Sequence, residues 1–414
     1  MNRLKTDVVI VGAGPAGLSA AIELRKLGVG NVLVVDREQQ AGGIPRHCHH
    51  IGFGMRDQHR ILTGPAYAAR QVQLAERYGV EILTETTVTG WDSATCLTAT
   101  RPDGLTQIQS SAVLLATGCR ERPRSARLIP GSRPAGIFTT GSLQNFVHVH
   151  HHPVGKRALV IGADHVGFSA VLTLKEAGVD VVGIVTEFSR HQTFLPYKLV
   201  SADRHRVPVL TDLKVQRILG KQRVEAVELA DVRDGSSRTI PCDTIVFTGN
   251  WIPDYELGYA GGLAIDPHGH SPRVNLRLQT SVKGVFAAGN LIHAAETADV
   301  AALGGRHAAR SIRTYLDLGD WPDGESIPIE IAPPLEWVSP HTIYPGEQSA
   351  PQGRFILRVT QVLDRPTLRI WQGSRCIWQH RYRVLIPNLP VYASDQWLDQ
   401  IENKNTPIRF EIIE

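Results

Sequence analysis

A glycine-rich turn follows the first apolar run of this chain and restricts the fold more than any other feature. The run Val8–Val11 predicts a buried strand, and it leads directly into GAGPAG at residues 12–17. In such a motif Gly12 allows a tight turn, and Gly14 leaves room for a pyrophosphate beside the backbone. Gly17 lets the following helix pack closely on the sheet. The strand and the turn therefore predict one half of a dinucleotide-binding domain.

The residues after the turn complete the same unit. A helix is predicted from Pro15 to Leu27, with Gly28 at its C-terminal stop and a second strand at Val32–Val35. Asp36 follows directly and is placed to accept hydrogen bonds from a ribose. The amides and dipole at the helix start favour an anionic diphosphate. The motif alone is a weak signal, but this order favours a nucleotide site over a ligand-free turn.

Length, charge and cysteine usage narrow the class of protein. The 414 residues suffice for two or three domains, and a net charge of +4 without a long basic block argues against nucleic acid as a partner. No apolar stretch is long enough to span a bilayer, and the first strand lies too near Met1 for a signal peptide. Five scattered cysteines are typical of reduced thiols. We therefore expect a cytoplasmic protein.

The order of strand, glycine-rich turn and helix occurs a second time. The apolar run Arg157–Ile161 leads into GADHVG at residues 162–167, and a further strand is predicted at Val181–Val185. The run AVLLATG at residues 112–118 is echoed by DTIVFTG at residues 243–249. Two copies of one plan predict two nucleotide-binding domains in one chain.

These patterns predict an α/β fold with two Rossmann-like domains and a small C-terminal β-rich module. The first domain is expected to be discontinuous, with residues 1–152 and 275–325 enclosing the second domain at residues 153–274. The module is expected at residues 331–414, where short alternating runs follow a segment rich in Pro, Gly and acid. It lacks the clustered cysteines of an iron–sulfur centre, and its role is open.

The motifs GAGPAG, ATG at residues 116–118 and VFAAGN at residues 285–290 enclose the second Rossmann-like unit. This arrangement resembles the flavoproteins with two dinucleotide-binding domains of the glutathione and thioredoxin reductase type. Within that group it is most similar to the FAD subunits of multi-component amine, amino-acid and opine dehydrogenases. Subunits of the hydrogen cyanide synthase and anaerobic glycerol-3-phosphate dehydrogenase systems are similar too. The resemblance implies FAD as the cofactor and does not name a substrate.

The resemblance assigns roles to residues of this chain. The glycines of GAGPAG would hold the FAD diphosphate, Asp36 the adenosine ribose, and Gly289 with Asn290 the ribityl region. Most relatives carry Asp where this chain has Asn290. The helix that begins near Thr297 would point its N-terminus at the pyrimidine edge of the flavin. The expected cofactor contacts are Gly12, Gly14, Pro15, Ala16, Gly17, Asp36, Arg37, Gly43, Ala116, Thr117, Gly118, Gly289, Asn290 and Thr297.

Two departures from the reductase pattern bear on function. Cys48 has no second cysteine nearby in sequence, which argues against dithiol–disulfide exchange through an internal pair. Asp164 stands where the second motif needs its close-approach glycine, and it would place a carboxylate against a pyrophosphate. Repulsion on the order of 1 to 4 kcal/mol makes NADH doubtful as a ligand. Glu187 still lies where a ribose acceptor belongs, so a working site would favour NADH over NADPH, and a lost or repurposed site is the alternative.

The loop at residues 42–64 is the best candidate for the active site. His47 or His50 could serve as a base, and Arg46 could anchor a substrate carboxylate or phosphate. Cys48 adds a thiol to the same stretch. The alternative is that these side chains hydrogen-bond locally and shape the FAD pocket. A second histidine group, at residues 148–152, is expected to be a solvated linker, and no metal site is predicted.

The sequence thus predicts an FAD-dependent oxidoreductase. By the resemblance it would be the FAD-containing subunit of a multi-component dehydrogenase that oxidises a small amine, amino acid or hydroxy compound. Its implied partners are a small-molecule substrate, a second flavoprotein and a small iron–sulfur protein. The alternatives are a stand-alone NADH-dependent flavin reductase and an FAD-bound assembly protein without turnover.

Overall fold

The architecture follows from a computed structural model, which describes residues 2–322, 324–402 and 406–413. Seven α-helices lie within these ranges, and two short π-helical turns extend α3 and α5 at residues 145–149 and 199–203. The helices are α1 (Pro15–Lys26), α2 (Gly64–Arg77), α3 (Thr140–Gln144), α4 (His165–Glu176), α5 (Leu195–Lys198), α6 (Glu256–Ala260) and α7 (Ala298–Leu318). No helix in this described part of the chain is long and apolar enough to cross a membrane.

The first Rossmann-like unit is built on a five-stranded parallel sheet. Its three central strands are apolar runs, rich in Val and Leu, that are buried on both faces, as expected for a sheet covered by helices on each side. Helices α1 and α7 pack so closely that a Cβ on Gly305 would overlap the carbonyl oxygen of Ala16. In spatial order the strands are Val285–Ala287, Ala112–Leu115, Val8–Val11, Val32–Val35 and Glu81–Leu83.

A mixed sheet flanks this unit and contains the N-terminal strand. Asn2–Lys5 pairs in parallel with the neighbouring strand, and the other strands form an antiparallel meander. A separate two-stranded hairpin joins Ile51–Phe53 to Leu62–Thr63 within the 42–64 loop. The mixed sheet has the spatial order Asn2–Lys5, Gly104–Gln109, Cys96–Arg101 and Thr87–Ser93.

The second unit repeats the plan of the first. Its parallel sheet has its own apolar core, which is packed against α4. An antiparallel ribbon, Cys119–Glu121 with Trp251–Pro253, connects the two units. The parallel strands are Ile137–Thr139, Thr244–Phe247, Arg157–Ile161, Asp180–Val185 and Val209–Leu210, and the meander strands are Leu213–Gly220, Val224–Asp231 and Ser237–Pro241. The predicted pair of Rossmann-like domains is confirmed.

The C-terminal part is β-rich, as predicted, and its own apolar core surrounds Trp397 and Phe410. A single 3₁₀ turn lies at Leu398–Gln400. One sheet contains Thr342–Ile343, Ile327–Ile331, Ile408–Ile413, Thr367–Gln372 and Arg375–Arg381; a second contains Leu335–Ser339, Arg354–Val359 and Val391–Ser394; a third pairs Leu363–Asp364 with Val384–Leu385.

The C-terminal module packs directly on the first Rossmann-like unit. Leu276 belongs to the apolar core of the module. The backbone amide of Val274 donates to Nδ1 of His341 at 3.2 Å, and Val300 of α7 packs with Trp337 and Ile356. The module is therefore held against the unit that contains GAGPAG.

Candidate functional site

The first glycine-rich turn leaves the start of α1 open. No side chain caps this helix, so its first amides are not used by a neighbouring side chain. Gly12 has a φ of +111°, and a Cβ at Gly17 would overlap the carbonyl oxygen of Gly12. A Cβ at Gly14 would meet only the Cα of Gly43, at 3.9 Å. Open amides beside a small, uncharged surface fit an anionic diphosphate.

Asp36 lies beside this turn, as predicted. Its Oδ2 accepts from the amide of Ala13 at 2.6 Å, and its Oδ1 accepts from the amide of Glu38 at 2.9 Å. These bonds fix the carboxylate at the carboxyl edge of the sheet, and each oxygen keeps acceptor capacity for a ribose hydroxyl. Arg37 is mostly exposed and lies 3.8 Å from Asp254.

The other expected cofactor contacts gather at the same edge. Pro15 and Ala16 are the first two residues of α1. Ala116 lies just beyond the strand that pairs with Val8–Val11, and the hydroxyl of Thr117 donates to the carbonyl oxygen of Asp254 at 2.8 Å. The Thr117 side chain therefore connects the two units.

Gly118 and Gly289 are the remaining glycines expected at this edge. The carbonyl oxygen of Gly118 accepts from the amide of Asp254. A Cβ on Gly289 would come within 2.6 Å of the Cβ of Ala16, so the chain passes close to α1 there. Because the carboxyl ends of parallel strands form the ligand-binding edge, the two glycines lie where a dinucleotide would bind.

Asn290 organises the segment that leads into α7. Its Oδ1 accepts from the amide of Glu296 at 3.1 Å, and its Nδ2 donates to the carbonyl oxygen of Glu296 at 3.0 Å. A carboxylate could make only the first of these bonds, which gives a physical reason for Asn at this position. The hydroxyl of Thr297 caps α7 by accepting from the amide of Val300.

The 42–64 loop brings His47 and Cys48 against α3. The Cys48 Sγ lies 3.2 Å from Oε1 of Gln144, and Nε2 of the same Gln144 side chain donates to the hydroxyl of Ser169 in α4 at 2.8 Å. Burial, followed by the charge of Arg46, lowers the pKa of His47 to about 4. Burial raises the pKa of the Cys48 thiol to about 12. At neutral pH both groups are uncharged, so this Cys48 is no thiolate nucleophile.

His50 and Arg46 point to different neighbours. Nδ1 of His50 lies 3.0 Å from the carbonyl oxygen of Ile51, and the imidazole contacts the ring of Tyr197 in the second unit. Burial lowers the pKa of His50. Nη2 of Arg46 lies 3.4 Å from Glu38. The structure thus places His47 and Cys48 together against α3. The side chain of His50 instead faces the second unit, and that of Arg46 faces Glu38.

Glu121 is a buried acid that the sequence analysis missed. It follows ATG by three residues, in the ribbon that connects the units, and its carboxylate accepts from the amide of Gly141 at 3.2 Å. Burial and the nearby Asp164 carboxylate raise its pKa to about 7, while the Gly141 hydrogen bond opposes this shift. An acid that titrates near neutral pH suits proton transfer. Only its position three residues after ATG could have drawn attention to it.

A buried network anchors the 42–64 loop to the cofactor edge. The Asp299 carboxylate of α7 accepts from the amides of Gly54 and Arg56, at 2.7 and 2.9 Å. The hydroxyl of Tyr67 donates to Asp57 at 3.0 Å, and burial raises the pKa of Asp57 to about 6. These contacts hold the loop against α7 and α2.

The second glycine-rich turn is filled by its own side chain. Oδ1 of Asp164 accepts from the amide of Gly167 at 2.8 Å and from the hydroxyl of Thr248 at 2.9 Å. The residue is 3 % exposed, and burial raises its pKa. The carboxylate thus uses the helix amide that a diphosphate would need, in contrast to the open start of α1.

A neighbouring segment also covers the start of α4. The amide of Gln192 donates to the carbonyl oxygen of Ala163 at 2.7 Å, and the ring of His165 stacks on Tyr197 at 4.0 Å. Nδ1 of His165 lies 3.0 Å from the hydroxyl of Thr193. Residues 192–197 therefore pack against the start of α4.

One group of side chains has the composition of a metal site. Atoms of His49, His148 and Glu176 lie within 4.8 Å of one another. The two imidazoles, however, stack face to face at 3.9 Å, whereas two histidines on one ion direct their nitrogens at it within the ring planes. The side chain of His148 is 4 % exposed, so the solvated linker expected there is wrong for this residue. Packing accounts for the cluster.

One family profile covers most of the chain. The profile of the pyridine nucleotide-disulphide oxidoreductases matches residues 6–305. The chain belongs to this family. It is an FAD-dependent oxidoreductase, and the open turn with Asp36 fits that cofactor. All five cysteines of this family member are free and distributed over separate elements, so no internal disulfide is formed.

Several proteins are similar to this oxidoreductase. The alpha chain of sarcosine oxidase from Rhizobium meliloti, a subunit of that enzyme, is 26 % identical over 76 % of this chain and 31 % of its own length. An opine oxidase subunit from Agrobacterium tumefaciens is 27 % identical over 75 % of this chain and 66 % of its own. Ferredoxin–NADP reductase of Ignicoccus hospitalis is 24 % identical over 76 % of this chain and 99 % of its own length. The chain thus spans about a third of the first of these relatives.

Solved structures show the same fold. The T. acidophilum thioredoxin reductase has a TM-score of 0.64 and 22 % identity, covering 75 % of this chain and 98 % of that one. The L-proline dehydrogenase of P. horikoshii has a TM-score of 0.57 and 20 % identity, and the match covers 78 % of this chain and 57 % of that one.

Proposed function

We propose that this chain is the FAD-containing subunit of a multi-component dehydrogenase and that its electrons do not come from NADH. The observation that carries the proposal is the Asp164 carboxylate in the second glycine-rich turn, bonded to the amide of Gly167. A free cysteine set without an internal disulfide argues in addition against thiol exchange. The first feature argues against NADH as the electron donor and the second against a thiol as the electron acceptor. Together they support an organic substrate as the donor.

The names of two relatives favour a substrate class. Sarcosine and the opines are both N-substituted amino acids, and both relatives are named as subunits. We propose an N-substituted amino acid, or a related small amine or hydroxy compound, as the substrate. Electrons would then leave to a partner, for which a second flavoprotein and a small iron–sulfur protein are our candidates.

The residues around α3 supply the proton chemistry in this proposal. When bound, FAD supplies the two-electron acceptor. Glu121 would accept the proton from the substrate nitrogen or hydroxyl, since its pKa of about 7 matches that task better than that of His47. Arg46, whose Nε lacks a hydrogen-bond partner, is our candidate anchor for the substrate carboxylate. His47, Cys48 and His50 would shape the cavity.

The decisive experiment is anaerobic mixing of the purified yellow protein with NADH or with N-substituted amino acids. Persistent flavin absorbance with NADH and bleaching with an amino acid would support the proposal. Rapid bleaching by NADH would favour a stand-alone NADH-dependent flavin reductase. Absorbance that persists with every donor, in a protein that copurifies with another chain, would favour an assembly role.

A further inference from the structure

The C-terminal module reaches into the segment that leads to α7. Arg358, on the strand Arg354–Val359, donates from Nη2 to Oε1 of Glu296 at 2.9 Å. The two side chains are 4 % and 2 % exposed. The same nitrogen lies 3.4 and 3.3 Å from the carbonyl oxygens of Ala294 and Ala295. The guanidinium also lies over the ring of Trp337.

A second residue of the module contacts the same acid. The hydroxyl of Tyr392, on the strand Val391–Ser394, donates to Oε2 of Glu296 at 3.1 Å. Both oxygens of Glu296 are therefore used by the module. Asn290 holds the amide and carbonyl of the same residue from the other side. Glu296 is thus fixed through its side chain by one part of the protein and through its backbone by another.

This segment lies at the ligand-binding edge of the first sheet. It follows the strand Val285–Ala287, which runs parallel to Ala112–Leu115, so its residues emerge at the carboxyl edge. Glu296 directly precedes Thr297, the N-cap of α7. A shift of Glu296 would therefore move the backbone that lines the cofactor site.

We propose that the C-terminal module is part of the FAD site, with Arg358 and Tyr392 as positioning residues that fix residues 288–297 through Glu296. The module and the cofactor then stabilise each other, since both favour one conformation of this segment. The inference concerns FAD binding and is independent of the identity of the electron donor. Coupling between two such sites is typically about 5- to 150-fold in affinity.

Hydrogen exchange on the unaltered protein provides one test. Removal of FAD from the full chain should speed amide exchange in Arg354–Val359 and Val391–Ser394 as well as at residues 288–297. Unchanged exchange in the two strands of the module, despite faster exchange at residues 288–297, would overturn the proposal. This measurement needs no variant and therefore no assumption about folding.

Substitutions provide the second test. Arg358→Met leaves the buried Glu296 carboxylate without its guanidinium partner, although the Tyr392 hydroxyl still donates to it. This variant should weaken FAD binding by about 5-fold or more, whereas Arg358→Lys should restore part of the affinity. Tyr392→Phe removes one hydroxyl and should have a smaller effect in the same direction. The matched control is Arg409→Met, which breaks a half-exposed contact with Glu411 in the same module and should leave FAD binding unchanged.

The readouts are the FAD content per chain, the dissociation constant of FAD for the refilled apoprotein and the far-ultraviolet circular dichroism. A folded Arg358→Met protein that binds FAD as tightly as the original chain would overturn the proposal. Equal losses of FAD affinity in Arg358→Met and Arg409→Met would overturn the proposal too, because the effect would then not be specific to the contact with Glu296. If Arg358→Met does not fold, Tyr392→Phe and the exchange experiment decide.

Discussion

Asp164 and Thr248 are joined by a hydrogen bond of 2.9 Å across the second glycine-rich turn. The corresponding place in the first turn belongs to Gly14, which offers no side chain, and α1 has no side-chain cap. Two turns with the same sequence plan thus differ in whether their helix amides are free. The difference separates a turn suited to a diphosphate from one that has used its own carboxylate instead.

Replacing Asp164 by Gly should strengthen NADH binding. The change removes the repulsive carboxylate and frees the Gly167 amide, and Gly is tolerated at an N-cap at a cost of only a few tenths of a kcal/mol. Removal of about 1 to 4 kcal/mol of repulsion predicts a gain of roughly tenfold to several hundredfold in affinity. Calorimetric titration measures it. Asp164→Asn keeps the cap without the charge and should give an intermediate gain; equal affinity in all three proteins would contradict the prediction.

Glu121→Gln should flatten the pH dependence of stability. Burial raises the pKa of Glu121 to about 7, so the folded chain holds this proton more tightly than the unfolded chain. Its stabilising contribution is complete below about pH 4.5 and is lost as the pH rises through 7, by at most about 3 kcal/mol. Urea unfolding at pH 5 and pH 8 should therefore show that Glu121→Gln gains relative stability at the higher pH.

The neighbouring Asp164 complicates this measurement, because burial raises the pKa of its carboxyl too. The pH dependence of stability of the original chain therefore contains contributions from both Asp164 and Glu121. The difference between the original chain and Glu121→Gln isolates the single carboxyl. A difference that does not change between the two pH values would show that Glu121 is not buried in a protonated form.

The same variant tests the proposed chemistry. If Glu121 accepts the substrate proton, Glu121→Gln should slow flavin reduction by about 10²- to 10⁴-fold while FAD stays bound. His47→Gln and His50→Gln should slow it less, because His47 is a weak base and His50 faces Tyr197. Anaerobic stopped-flow absorbance measures all three. A larger loss in His47→Gln than in Glu121→Gln would transfer the role to the histidine.

Gly14→Ala should impair FAD binding, whereas Gly17→Ala should impair the stability of the fold. A Cβ at Gly14 would make only a van der Waals contact with the Cα of Gly43, at 3.9 Å, so the fold should persist while FAD affinity falls. A Cβ at Gly17 would overlap the carbonyl oxygen of Gly12, so α1 could not dock and the chain should lose stability. Circular dichroism and FAD content separate the two outcomes. Equal thermal stability of Gly17→Ala and the original chain would refute the argument.

Asn290→Asp should destabilise the segment that leads into α7. The carboxylate cannot donate to the carbonyl oxygen of Glu296 and adds a charge near the buried Glu296. The loss of one buried donor predicts a destabilisation of about 1 to 3 kcal/mol. Thermal unfolding of the FAD-bound protein measures it, with Asn290→Ser as a milder control. An unchanged or higher midpoint in Asn290→Asp would show that the amide is not needed.

Local patterns predicted the parts of this molecule that depend on neighbouring residues. The apolar runs and glycine positions gave the strand Val8–Val11 and the helix α1 almost to the residue, because buried parallel strands need continuous apolar runs. Such features require no knowledge of the tertiary structure. The sequence also predicts that Asp164 opposes a pyrophosphate at the second turn, but only the structure shows that its carboxylate caps α4 and binds Thr248.

The remaining features depend on residues that are distant in sequence. Arg358 meets Glu296 across 62 positions, and Cys48 meets Gln144 across 96. No periodicity or spacing reports which strand of the C-terminal module faces α7. The environment of Glu121 is also tertiary, because its pKa depends on burial beneath α3 and on Asp164. The direction of His50, toward Tyr197 of the second unit, was open for the same reason.

The strand order of the first sheet determines when this sheet can be completed during synthesis of the chain. Ala112–Leu115 is paired on one side with Val8–Val11, but its other neighbour, Val285–Ala287, leaves the ribosome about 170 residues later, after roughly 10 to 30 seconds. The second unit is contiguous and can fold within that interval. The nascent chain must therefore carry an unfinished sheet edge while the inserted unit is already compact. Only the arrival of Val285–Ala287 and α7 closes that edge and completes a surface able to retain FAD.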